Sequence, residues 1–232
     1  MIDSPFGAVR HLDLFARMSD ESFLRLTRAA YLQSFPAQLQ LIAEGDPADF
    51  LHVLVSGRVE LFSTWNGRET SMATVHPVST FILAATVRDA PYLMSARTVE
   101  KSRLILIPSQ DVREIFEQDI GFAKAIVNEL ARCYRATIRT SKNLKLRNSQ
   151  ERLANYLLRQ LGKSGNRTRF ELLAEKRRVA SYLGMTPENL SRAFNALKAH
   201  GVEVDGSHVT IVDHDKLVAF ACPHALLDDY AN

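Results

Sequence analysis

The 232-residue chain has only two cysteines, Cys133 and Cys222, far apart in sequence. Thiols so placed supply neither a disulfide framework nor a zinc or iron–sulfur ligand set. Long apolar runs are also missing. No stretch approaches the roughly 18 residues of a membrane-spanning helix, and the first residues lack a basic-then-apolar leader pattern. These absences predict a cytoplasmic location and no membrane partner. The net charge of +3 says little by itself, but its distribution is uneven. Between Lys142 and His200, 13 Lys/Arg stand against four acids, Glu151, Glu171, Glu175 and Glu188. A basic patch of this kind draws in a polyanion and releases its counterions, so binding weakens with salt. The length leaves room for two domains, each with its own core.

The most informative run lies inside the basic segment, from Arg177 to Lys198. Val179, Ala180 and Leu183 form one face of a helix that stops at Gly184, a residue free to take positive φ. A second helix follows at once. Thr186 suits its N-cap, Pro187 its first position, and Glu188 complements the helix dipole. Leu190, Phe194 and Leu197 make the buried stripe, leaving Thr186, Glu188, Asn189, Ser191, Arg192 and Asn195 outward or at its edges. A polar, short-chained outer face fits the DNA major groove. There a carboxylate accepts from cytosine N4, a guanidinium grips guanine O6 and N7, and a small hydroxyl sits against a base edge or phosphate. Thr186, Glu188, Asn189, Ser191 and Arg192, with Arg177 and Lys198, form the candidate DNA-binding set. Beyond it, Val202–Val204 and His208–Val212 flank Asp205-Gly206-Ser207, a β-hairpin that makes the domain a winged helix-turn-helix.

Earlier in the chain, residues 1 to about 30 read as helical, with Ser19-Asp20 as a capping start. Short β runs follow at 38–42, 50–55, 59–63, 71–75, 95–99 and 103–107, broken at 44–47, 56–57 and 66–67. That spacing predicts an antiparallel barrel or jelly roll. A capped helical turn near Asp111 leads to a long helix from about Ile120 to Leu146. Along it Ala123, Ile126, Val127, Leu130, Cys133, Tyr134 and Ile138 recur three and four apart, a coiled-coil-like seam. Asn143 to Asn148 reads as a hinge, Ser149 and Gln150 open the next helix, Gly162 to Asn166 form a basic loop, and a short helix lies near Lys216 to Phe220.

The run from Ile42 to Leu61 resembles the opening of the β-roll in cyclic-nucleotide-binding domains, whose tight-corner glycines are matched by Gly45 and Gly57. With the winged helix behind it, the whole chain is similar to the family of the cyclic AMP receptor protein and the fumarate-nitrate reductase regulator. The resemblance implies an α+β fold: a β-roll sensor domain (1–118), a dimerisation helix and hinge (119–146), and a winged helix-turn-helix DNA-binding domain (147–232). It also implies a homodimer acting on double-stranded DNA, with RNA polymerase as partner. Glu188, Ser191 and Arg192 match the Glu-x-x-Ser-Arg pattern of the fumarate-nitrate reductase regulator branch, implying a TTGAT-like half-site; Pro187 departs from that pattern. Asn143 to Ala154 is similar to nitric-oxide-responsive denitrification regulators.

In nucleotide-binding members of the family a Gly-Glu pair holds the ribose and an Arg-Ser or Arg-Thr pair neutralises the cyclic phosphate. Here Phe81-Ile82-Leu83-Ala84-Ala85 and Tyr92-Leu93-Met94-Ser95 stand at those places. A buried phosphate without a cation is costly, so cyclic AMP is not expected to bind. The absent four-cysteine set excludes an iron–sulfur cluster. Leu83, Ala84, Tyr92, Met94 and Ile126 make the candidate effector pocket. Haem and an organic effector both stay open, with His76 and His52 as candidate haem ligands and Met94 and Cys133 as softer donors. Two rivals are a cyclic-nucleotide-dependent regulator using other contacts and a metal-dependent jelly-roll enzyme. The enzyme needs clustered histidines with a carboxylate, whereas His52 and His76 stand alone, so no catalysis is expected.

Overall fold

A computed structural model describes residues 6–165, 168–172 and 176–228. The chain divides into two compact units, Met1–Cys133 and Tyr134–Asn232.

In the first unit a 3-10 turn (Gly7–Val9) precedes α1 (Asp13–Ala16) and α2 (Asp20–Arg28). Ser19 caps α2, its hydroxyl accepting from the Ser22 N–H. Next come β1 (Tyr31–Phe35), β2 (Gln40–Ile42), β3 (Phe50–Ser56), β4 (Val59–Trp65), β5 (Arg68–Val75) and β6 (Ser79–Phe81). The series closes with α3 (Leu83–Arg88), β7 (Ser95–Thr98) and β8 (Ser102–Pro108). The strands form two four-stranded sheets, ordered β1-β8-β3-β6 and β2-β7-β4-β5, with antiparallel pairings. These sheets agree with the antiparallel jelly roll that the short runs predict and with the β-roll that the family resemblance implies. β1, β6 and α3 are elements the run pattern did not show, because β1 is mostly exposed and the other two are only a few residues long.

Two-residue periodicity sorts the strand side chains into two cores. Leu51, Val53, Ile105 and Ile107 face helices, meeting Phe15, Leu26, Ile115, Phe122 and Ile126. Leu54 and Leu104 turn the other way, toward Val59, Leu61 and Ala96 of the second sheet. Burying each such Leu, Ile or Phe contributes about 1.5–3 kcal/mol. At the β3–β4 corner Gly57 has φ +91°, and a Cβ there would lie 2.6 Å from the Lys101 carbonyl oxygen. Any other residue would force that corner apart. At the tip of the β4–β5 hairpin Trp65 is 85% exposed.

α4 (Ser109–Gln118) leads into α5 (Ile120–Leu146), whose bounds agree with the predicted helix. Asp119 ties its start to α2: Oδ1 accepts from the Phe122 N–H at 2.9 Å, and Oδ2 from the Ser19 N–H and hydroxyl at 2.9 and 2.8 Å. Burial alone would raise its pKa, but these donors outweigh it and hold the carboxyl well below the usual range. No helix among the described residues is long and apolar enough to cross a membrane.

The second unit holds the end of α5, then α6 (Ser149–Lys163), β9 (Arg169–Glu171), α7 (Lys176–Tyr182) and α8 (Pro187–Leu197). A 3-10 turn (Lys198–His200), β10 (Val202–Asp205), β11 (His208–Ile211), α9 (His214–Ala221) and α10 (Ala225–Asp228) follow. Leu153, Leu157, Leu183, Leu190, Leu197, Val202, Val209 and Leu217 lie in its core. β10, β11 and β9 form an antiparallel sheet. Two linkers are shorter than the sequence suggests. Asn143 to Leu146 stay helical, so the break after α5 narrows to Arg147 and Asn148. Gly162 and Lys163 belong to α6, because a single glycine near a helix end costs too little to stop it; Asn166 lies outside the described residues.

Candidate nucleic-acid interface

The unit is a helix-turn-helix built around a four-residue turn, Leu183 to Thr186. Gly184 has φ +63°, left-handed backbone that favours glycine at the turn, and the Leu144 side chain lies over it. Thr186 caps α8, its Oγ1 accepting from the Asn189 N–H at 3.2 Å, and Pro187 takes the first helical position. Leu190, Ala193, Phe194 and Leu197 are buried, which fixes the roll of the helix about its axis. Its opposite side is consequently set. Glu188, Ser191, Arg192 and Asn195 are all exposed, at positions i, i+3, i+4 and i+7 of one face.

The electrostatics suit base contacts. Glu188 accepts from its own N–H and from the Thr186 hydroxyl, and with Arg192 one turn on its carboxyl is held below the usual range. It is therefore an anionic acceptor at neutral pH. Ser191 donates to the Pro187 carbonyl at 3.1 Å, so its hydroxyl oxygen keeps lone pairs free to accept from an amino group on a base edge. Thr186 spends its side chain on the cap, while Asn189 is exposed one residue past Glu188. Arg177 is exposed in the first turn of α7, and Lys198 opens the exposed 3-10 turn after α8. Sequence reasoning missed Arg152. It is partly buried and donates to the Leu183 and Arg147 carbonyls at 2.8 and 2.6 Å. A cation in the first turns of a helix opposes the dipole, and that misfit was the available signal that it had other partners.

Residues 32–119 match the cyclic nucleotide-binding domain family, and residues 151–220 the Crp-like helix-turn-helix domain family. The chain belongs to the CRP/FNR family of transcription regulators. The transcriptional activator protein anr of Pseudomonas aeruginosa is 24% identical over 186 residues, covering 78% of this chain and 76% of that protein. The CRP-like cAMP-activated global transcriptional regulator of Mycobacterium tuberculosis is 23% identical over 212 residues, covering 88% and 94%. Among solved structures, FixK2 from Bradyrhizobium japonicum has the same fold, with a TM-score of 0.67 and 20% identity over 84% of this chain and 99% of that one.

In this CRP/FNR member the five candidate effector residues fall in different places. Leu83 and Ile126 share the core under the helices, whereas Tyr92 is buried between the sheets with Met94 packed against that core, and Ala84 is exposed. Ile82 takes left-handed backbone, φ 58°, at the start of α3. His52 lies inside the β-roll, its ring 5.2 Å from Phe81 in a stacked arrangement and 6.4 Å from Tyr92 edge-on. Burial lowers its pKa to about 4, against a smaller opposing contact with the Phe50 backbone, so the ring is neutral at pH 7. His76 is exposed after β5, and Cys133 is exposed on α5.

Proposed function

We propose that the protein is a homodimeric, sequence-specific transcription regulator of the cytoplasm that binds a palindrome with TTGAT-like halves and acts with RNA polymerase, without catalysis. The single observation that carries the reading is the exposed Glu188, Ser191 and Arg192 face on a helix whose roll is fixed by four buried residues. Dimerisation is supported by α5, where Ile120, Val127, Tyr134 and Ile138 are 74, 58, 67 and 41% exposed at intervals of seven, seven and four residues. Two such units place their reading helices in major grooves about one helical turn apart, roughly 34–36 Å.

In this reading the sensor takes neither cyclic AMP nor haem and responds to another effector, a view supported by its residues. Phe81–Ala85 and Tyr92–Ser95 supply neither the carboxylate nor the guanidinium that a cyclic nucleotide needs. His52 would have to leave its ring packing to reach an iron, and a porphyrin on exposed His76 would stay in water. The likeness of residues 143–154 to nitric-oxide-responsive regulators agrees with a non-nucleotide signal.

Fluorescence anisotropy with a duplex of two inverted TTGAT halves tests the reading. Arg192→Ala should weaken binding by about 1–3 kcal/mol and relax preference at one base pair of each half, with a salt slope close to that of wild type. Unchanged affinity and footprint in that variant would falsify the assigned role.

A further inference from the structure

We propose that Arg152 and the Arg147–Asp228 pair are positioning residues that fix the reading helix against the end of α5 and so set the half-site spacing the dimer accepts; this rests on the palindromic reading above. The linker between α5 and α6 is two residues long, and one of them, Asn148, is already immobilised by a capping box. Its side chain accepts from the Gln150 and Glu151 N–H groups at 2.9 and 3.0 Å, while Glu151 accepts from the Asn148 N–H at 2.9 Å. Freedom in the linker is thus concentrated at Arg147.

Three restraints meet there. Its guanidinium holds both carboxylate oxygens of Asp228, at 2.7 and 2.6 Å, with the two side chains only 8 and 12% exposed. The same group donates to Asn143 Oδ1 at 3.1 Å, one turn back in α5. Its carbonyl accepts from Arg152 Nη1, and Arg152 Nε holds the Leu183 carbonyl at 2.8 Å, with Nη2 a longer 3.4 Å from the Gly184 carbonyl. A single planar fork therefore joins the linker to the turn that precedes α8. Leu144 lies over Gly184, adding an apolar contact between the same two segments. Asp228 is placed by the chain's last described turn, where it also accepts from the His224 N–H at 2.8 Å. Asp228 also lies 3.9 Å from Arg159 Nη1, and losing its carboxylate removes the two-point grip that orients the Arg147 guanidinium, which loosens the linker end of the clasp.

Two measurements test this, both on the full chain. The first is amide hydrogen exchange in Asp228→Asn: faster exchange is expected at Arg147–Asn148 and, together with it, at the Leu183–Gly184 turn, which Asp228 does not touch. A rise confined to the linker, or none, overturns the coupling. The second is affinity for paired half-sites whose spacer is lengthened or shortened by one base pair. Wild type should lose about tenfold off the optimum, and Asp228→Asn or Arg152→Lys should flatten the profile to within about threefold. Single-base preferences inside the half-site should be unchanged. Arg152→Lys keeps charge and length but loses the fork, and serves if Asp228→Asn does not fold. A sharp profile retained in the variants overturns the spacing role alone. A wild type indifferent to the spacer overturns it together with the palindromic reading, and the exchange result separates the two cases.

Discussion

His52 stands between the stacked Phe81 ring and the edge of Tyr92, and among the described residues no group hydrogen-bonds its Nδ1. The β-roll therefore admits it only as neutral imidazole. Its folded pKa of about 4 lies below the unfolded value of 6.5, so between those values the unfolded chain binds more protons. Stability should accordingly fall as pH drops from 6.5 toward 4, by an amount on the order of 3 kcal/mol. Denaturant unfolding at pH 7 and pH 5 checks this. His52→Leu should lose most of that pH dependence, and an equal dependence in both proteins would remove the explanation. At this scale Thr186, Pro187 and Glu188 were readable in the sequence, because a cap, a first-turn proline and a first-turn acid act on backbone within four residues. Arg152 was not. Its acceptors at Leu183 and Gly184 are distant in sequence and meet it only after the unit has folded.

Among elements, α5 was the most legible, since apolar residues three and four apart from Ala123 to Ile138 leave no other periodic reading. β1 and β6 were not, because their pairing with β8 and β3 comes from sheet neighbours rather than from any pattern of their own. The exposed row on α5 carries its own expectation. Val127→Glu with Tyr134→Glu puts charge into a seam that excludes water in a dimer. The molar mass by light scattering should drop to half and paired-site DNA affinity should be lost, while circular dichroism keeps the helix content. A mass unchanged from a dimeric wild type would show that the contact lies elsewhere, and a monomeric wild type would end the dimer reading.

For the whole molecule, family membership and binding chemistry separate. The order of β-roll and helix-turn-helix marks the CRP/FNR family, whereas Phe81–Ala85 and Tyr92–Ser95 lack the charges that a cyclic nucleotide requires. Calorimetric titration with cyclic AMP should give no saturable heat, and the purified protein should show no Soret band. A saturable isotherm or a stoichiometric haem spectrum would return the pocket to a known effector class. The α3 segment explains why sequence alone left that pocket open: Leu83 and Tyr92, nine residues apart, end in different cores. The lone tryptophan, Trp65, has a use in such searches. Standing in water at a hairpin tip, it is the chain's single indole fluorophore, so a blue shift in its emission reports directly, and without any label, when a small molecule or a second protein has covered that corner of the sensor.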